Sequence, residues 1–249
     1  MQEMKHILLK STVVIMEKES TKRAFEIVLG CLLLISVYLL SWEGARLVAV
    51  EMEGRKTVVI DSGHGGDDPG KIGVGNVLEK DINLEIAELL ETRLKKEDVN
   101  VIMTRTEDVM LADDGSSSKT AEDLKKRCAM INESGADCAV SIHQNSYSDE
   151  AIKGAQVFYF EHSEEGKLLA ETLQSSLIAG LDPTNHRQAK GNVTYYLLKK
   201  TEIPIVIVEC GFLSNPEEAK LLGEEKYQEK VADAVCAGIM EYLNGKEAL

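Results

Sequence analysis

Four consecutive residues, Ile205, Val206, Ile207 and Val208, are large, apolar and β-branched, and Glu209 follows them directly. Side chains of a strand alternate between its two faces, so a run apolar at every position needs cover on both. That places it inside a sheet with helices on either side, in the main a parallel sheet. Further short runs that read as strands occur at residues 57–61, 101–105, 138–142 and 155–160, and residues 193–198 also read as extended. Between them lie helical patterns. Residues 80–97 carry Ile82, Ile86, Leu89, Leu90 and Leu94 at helical spacing. Residues 120–133, 216–222 and 224–243 read as helices, as does a segment capped by Ser163 and running to about residue 179. Residues 106–119 and 181–192 read as loops. The expected fold class is α/β: a single domain with a mostly parallel sheet flanked by helices, preceded by an N-terminal membrane segment.

Residues 24–42, AFEIVLGCLLLISVYLLSW, contain one charge, Glu26. A membrane-spanning helix needs about 17–25 mostly apolar residues, and basic residues collect on its cytoplasmic side. With Lys22 and Arg23 ahead of it, the run is expected to anchor the chain with its N-terminus inside and the rest outside the cytoplasm. A cleaved signal peptide is the alternative reading; residues 42–46, WEGAR, are a poor cleavage site. The division is then a cytoplasmic segment 1–23, an anchor or signal 24–42, a linker 43–56 and a catalytic domain 57–243. Residues 16–23 form a basic start on their own, so Met16 is a candidate initiator. The balance of 42 Asp+Glu against 28 Lys+Arg, a formal −14, opposes binding to a phosphate backbone and excludes a nucleic-acid partner. The cysteines Cys128, Cys138, Cys210 and Cys236 lack C-x-x-C spacing and sit in apolar stretches, as small buried residues do.

Polar residues of chemical interest cluster where strands end. His64 follows the first strand within DSGHGG, His143 closes AVSIH, Glu209 closes IVIVE, and Glu79 stands just before the first helix. In a parallel sheet, ligands bind beyond the carboxyl ends of the strands, so all four can meet on one rim. Two imidazoles, a carboxylate and an open position make a hydrolytic zinc site, and a carboxylate that does not ligate can serve as general base and acid. Each residue alone has a plainer reading. The glycines around His64 can make a tight turn, His143 can be a hydrogen-bonded core histidine, and Glu79 can be an acid at a helix N-terminus. Glu209 is the exception, because a buried unpaired carboxylate is costly and calls for a function or an ion pair.

The segments VVIDSGHGG, NVLEKDINLEIA, MTR at residues 103–105, SIHQNS at 141–146 and VECGFLSNPEE at 208–218 together resemble the zinc-dependent N-acetylmuramoyl-L-alanine amidases. The resemblance runs from about Thr57 to Leu243. It implies that Zn²⁺ is the cofactor, that His64, Glu79 and His143 are its ligands and that Glu209 is the catalytic glutamate. The implied reaction is hydrolysis of the amide between the lactyl group of N-acetylmuramic acid and the L-alanine of the peptidoglycan stem, with Asn145 a substrate contact. The alternatives are another zinc peptidoglycan hydrolase, a peptidase or deacetylase, or a vegetative cell-separation amidase. Ser62 stands where the family usually has proline, which is expected to alter loop stiffness and leave the ligands intact.

The N-terminal membrane segment, the lack of a wall-binding module, DLKKR at 123–127 and HRQAK at 186–190 are similar to the spore-cortex branch. That likeness implies a role in sporulation and germination, at the membrane and facing the space between mother cell and forespore. It also implies coupling to a peptidoglycan deacetylase that completes muramic-δ-lactam formation, and it leaves room for an exported activating partner.

Overall fold

The computed structural model describes residues 22, 29–30, 33–42 and 54–246. Residues 33–42 are helical, with exposed Leu33, Leu34, Ile35, Val37, Tyr38, Leu39, Leu40 and Trp42. Most of the expected segment 1–23, part of the expected anchor 24–42, and all but residues 54–56 of the expected linker lie outside the described residues. Among the described residues, no helix is long and apolar enough to cross a membrane.

From residue 55 onward the chain forms one compact unit. Its strands are β1 (Thr57–Ser62), β2 (Asn100–Met103), β3 (Cys138–Asn145), β4 (Gln156–Phe160), β5 (Lys190–Asn192) and β6 (Ile205–Phe212). Its helices are α1 (Glu79–Lys96), α2 (Lys119–Glu133), α3 (Glu164–Leu181), α4 (Tyr196–Lys200), α5 (Pro216–Leu222) and α6 (Glu225–Lys246). The sheet order is β2-β1-β3-β6-β4-β5. The pairs β1–β2, β1–β3, β3–β6 and β4–β5 are parallel, and β4 runs antiparallel to β6. The sheet is therefore mixed with parallel pairing dominant.

The two-residue period of the strands sorts their side chains onto two covered faces. On one, Val58, Ile60, Val140, Ile142, Val206 and Val208 pack under α1, α3 and α6 through residues such as Ile86, Leu90, Leu173, Val235 and Ile239. On the other, Val59, Ala139, Ile205, Ile207 and Phe158 pack against Cys128 and Ile131 of α2 and Leu197 and Leu198 of α4. The same alternation carries Asp61, Ser141, His143 and Glu209 onto this second face. Register aligns them in pairs, Asp61 beside Ser141 and His143 beside Glu209. The cores form by apolar burial, and the polar end of the second face is where chemistry becomes available. Cys128, Cys138, Cys210 and Cys236 are free and buried, as their apolar settings predicted.

Several elements depart from the sequence reading. Residues 196–200 are helical where 193–198 was expected to be extended. The strand β5 ends at Asn192, whose Oδ1 accepts from the backbone N–H of Thr194 and Tyr195 and turns the chain. The turn lets Leu197 and Leu198 both reach the sheet from one short helix, which an extended strand cannot do. His143 and Glu209 lie inside their strands, because β3 runs on to Asn145 and β6 to Phe212 across a register shift after His143. Glu79 is the first residue of α1. Ser62 belongs to β1, not to the loop after it. The expected cap at Ser163 forms, its Oγ accepting from Gly166 N–H, and the structure adds one at Asn215, whose Oδ1 accepts from Glu217 and Glu218 N–H.

Leu173 is fully buried between α3, the sheet and α6. Leu173→Ala will destabilise the domain by about 2–5 kcal/mol, the usual range for a leucine truncated in a packed core. Chemical denaturation of the two proteins measures it, and a change under about 1 kcal/mol would contradict the packing described here.

Candidate active site

The loop after β1 carries His64 in an unusual backbone state. Three residues in succession have positive φ: His64 at 61°, Gly65 at 137° and Gly66 at 56°. Glycine takes such angles freely and histidine does not, so His64 needs outside support. That support comes from two buried arginines. Arg127 of α2 donates to the carbonyls of Ser62 and His64 at 2.6 and 2.7 Å. Arg105, just beyond β2, donates to Ser62 and Gly63 at 3.0 and 3.1 Å. Two further glycines make room. A side chain on Gly63 would strike the His143 ring, and one on Gly70 would come 2.7 Å from both Glu79 Oε2 and His64 Cδ2.

With the loop so held, three side chains converge. Glu79 Oε1 lies 3.2 Å from His64 Nε2 and 3.0 Å from His143 Nδ1. All three donor atoms lie within 4.8 Å of one another. Ligands about 2.0–2.2 Å from a tetrahedral Zn²⁺ stand roughly 3.3–3.5 Å apart, so the spacing fits such an ion. The carboxylate is held from behind by the backbone N–H of Lys71 at 2.7 Å and of Gln144 at 3.1 Å. The remaining nitrogen of His64, Nδ1, lies 2.8 Å from Asp68 Oδ2. That contact fixes the tautomer that turns Nε2 toward Glu79. Burial works against charge on both partners, yet the contacts win: Glu79 is held well below the carboxylate range by the two imidazoles. His64 is likewise raised to about 9 by Glu79 and Asp68 despite its burial. A site that draws a proton to His64 in this way is one that a cation can occupy in its place.

Glu209 has a different setting. It is 9% exposed, and its Oε2 is buried without a hydrogen-bond partner. Burial pushes its carboxyl up to about 7, with nearby His143 pulling down and Glu79 pushing up. One cleft of about 260 Å³ is lined by His64, His143 and Glu209 together with Leu124, Tyr195 and Tyr196. The four residues singled out from the sequence are thus brought together. Asn145 does not line this cleft; its Oδ1 accepts from the N–H of Ser146 at the end of β3. His162 and His186 are exposed.

Sequence reasoning passed over Asp68, Arg105 and Arg127 as site residues. Asp68 stands four residues after His64 in an acid-rich turn, which is a visible signal. Asp123 and Arg127 are four apart on α2 and pair at 2.6 Å, so an i,i+4 pair was legible there as well. Nothing in the chain marks Tyr195 and Tyr196 as cleft residues without the turn at Asn192.

Comparison with known proteins identifies the family. The N-acetylmuramoyl-L-alanine amidase family matches residues 58–241. The germination-specific N-acetylmuramoyl-L-alanine amidase of Bacillus subtilis (strain 168) is 41% identical over 194 residues, covering 77% of this chain and 81% of that one. The CwlD amidase from Clostridioides difficile, solved in complex with the GerS lipoprotein, is 41% identical with a TM-score of 0.74, covering 76% of this chain and 99% of that one. An N-acetylmuramoyl-L-alanine amidase from Clostridium difficile 630 is 33% identical with a TM-score of 0.69, over 77% and 98% of the two chains. With a family match over most of its length and relatives of this identity along the whole α/β unit, the chain belongs to the N-acetylmuramoyl-L-alanine amidases.

Proposed function

We propose that this amidase is a zinc enzyme that strips stem peptides from muramic acid in spore peptidoglycan. One observation carries the zinc reading: His64, His143 and Glu79 converge beside the unpartnered oxygen of Glu209. Two imidazoles and a carboxylate suit zinc and leave a position open for reaction. When bound, zinc supplies a Lewis acid for the amide carbonyl and lowers the pKa of a water from 15.7 toward about 7. Glu209 takes the proton of the attacking water and returns it to the departing L-alanine nitrogen, which leaves poorly as an anion. Its carboxyl suits both halves of that transfer, since burial lifts it to about 7 before any cation pulls it back. Asp68 keeps His64 in the ligating tautomer, and Tyr195 and Tyr196 wall the cleft that Glu209 lines.

The cortex role rests on the names of the relatives. One is called germination-specific, and another was solved in complex with a lipoprotein. By analogy this chain acts during cortex maturation, ahead of a deacetylase that completes muramic-δ-lactam, and an exported lipoprotein is its candidate activator. Digestion of purified spore peptidoglycan by the full chain should release new L-alanine amino termini and leave free muramic carboxyl groups. A chelator should abolish both, and adding a peptidoglycan deacetylase should then yield lactam. New amino sugars, or cuts within the stem peptide, would point to another hydrolase.

The two glutamates are separated by substitution. Glu209→Gln keeps size and cannot accept the proton, so zinc content should stay at wild type while the rate falls roughly 10²–10⁴-fold. The rise of activity with pH should flatten, because the group that must lose its proton is gone. Glu79→Gln should lose zinc, a neutral amide being a poorer ligand. Zinc loss in Glu209→Gln with retention in Glu79→Gln would reverse the assignment.

Residues 24–42 are proposed to remain as a single-pass anchor, with the catalytic domain 57–243 extracytoplasmic, facing the space between mother cell and forespore. The support is one charge in nineteen residues and the Lys22-Arg23 pair ahead of them. In vegetative cells made to express the chain, protease added outside sealed protoplasts should remove the domain from membrane fractions. A mature N-terminus beyond Trp42 would identify a cleaved signal instead.

A further inference from the structure

We propose that Arg105 is a positioning residue of the site, setting the distance between the loop that carries His64 and the helix that carries Glu79. Arg105 is 3% exposed, and each of its nitrogens donates to a backbone carbonyl. The decisive one is a terminal nitrogen that donates both to Gly63 at 3.1 Å and to Lys80 at 2.7 Å. Gly63 directly precedes His64, and Lys80 directly follows Glu79. One planar group therefore ties together the two segments whose side chains must meet, while Nε anchors the same group to Ser62 at 3.0 Å.

A second tie acts from the rim, on the other side of His64. Lys80 Nζ donates to the Gly66 carbonyl at 2.9 Å and to Asp108 Oδ2 at 2.6 Å. Asp108 Oδ1 accepts from Gly66 N–H at 2.7 Å. The loop is thus fastened before and after His64 to the residue next to Glu79. The need for this is plain from the backbone: His64 and the two glycines after it hold positive φ, and Gly65 and Gly66 have the conformational freedom to leave that state. A fixed fork of donors suits the task, because lysine offers a single point of donation and cannot span Ser62, Gly63 and Lys80 at once.

This inference rests on reading His64 and Glu79 as metal ligands, and the test separates the two claims. Zinc affinity of the full chain is measured by competition with a chelator, for wild type, Arg105→Lys, Lys80→Met and Leu173→Ala. Arg105→Lys should bind zinc about 10–100-fold more weakly, the range for groups that orient metal ligands. Leu173→Ala, destabilised far from the site, should keep wild-type affinity, which sets positioning apart from general loss of stability. Affinity of Arg105→Lys within twofold of wild type would overturn the inference, as would an equal loss in Leu173→Ala. If Arg105→Lys does not fold, Lys80→Met at the rim decides: a loss of several-fold supports the clamp, and no loss overturns it. A wild-type chain that takes up no zinc would overturn the metal reading and this inference together.

Discussion

Asp61 and Arg127 meet in the interior at 2.7 Å with side chains 1% and 2% exposed, and the site is built outward from that contact. Two charges taken this far out of water are costly unless their geometry and remaining hydrogen bonds are complete. Here they are filled from every element nearby. Ser141 of β3 donates to Asp61 Oδ2 at 2.5 Å, and Thr104 beyond β2 donates to Oδ1 at 2.8 Å. Asp123 of α2 receives Arg127 Nε at 2.6 Å and, on its other oxygen, the N–H of Leu111. Burial alone would raise the Asp61 carboxyl, but the Arg127 charge and the Ser141 hydroxyl bring it below its ordinary value. What is left of Arg127 goes to the carbonyls of Ser62 and His64. The ion pair thus converts the end of an apolar sheet face into a rigid base for the loop that holds the first histidine.

That arrangement explains which parts of the molecule were legible in the sequence. Strands with both faces buried announce themselves as runs with little or no polar alternation, β-branched in β1 and β6 and small and apolar in β3, so these were readable along with the helices that cover them. Residues His64, Glu79, His143 and Glu209 were readable because each stands where an apolar run stops or a helix starts. The antiparallel course of β4 was not, since pairing direction leaves no mark on a run of five residues. Nor was α4: its Leu197-Leu198 pair fits a strand as well as a helix, and the Asn192 turn decides between them. Arg127 was hidden for a related reason. In DLKKR it looks like part of a solvated charged face, and the helix turns Asp123 and Arg127 inward while Lys125 faces out.

The two glutamates stand a short way apart in opposite surroundings, as their proposed roles require. Glu79 sits at the first turn of α1, its oxygens met by two backbone N–H groups and two imidazoles, and everything around it favours the ionised form. Glu209 is carried in by a strand whose neighbours are apolar, with one oxygen that nothing meets, and its surroundings favour the proton. A ligand must stay charged and fixed, whereas a proton carrier must pass between its two states at little expense. The difference follows from backbone placement. The N–H groups of Lys71, ahead of α1, and of Gln144, where the β3 ladder shifts register, are free to meet Glu79, whereas Oε2 of Glu209 meets none. Under the proposed roles the ligand stands at a helix start and the proton carrier on a strand, and the register of β3 against β6 brings Glu209 beside the histidine that Glu79 holds.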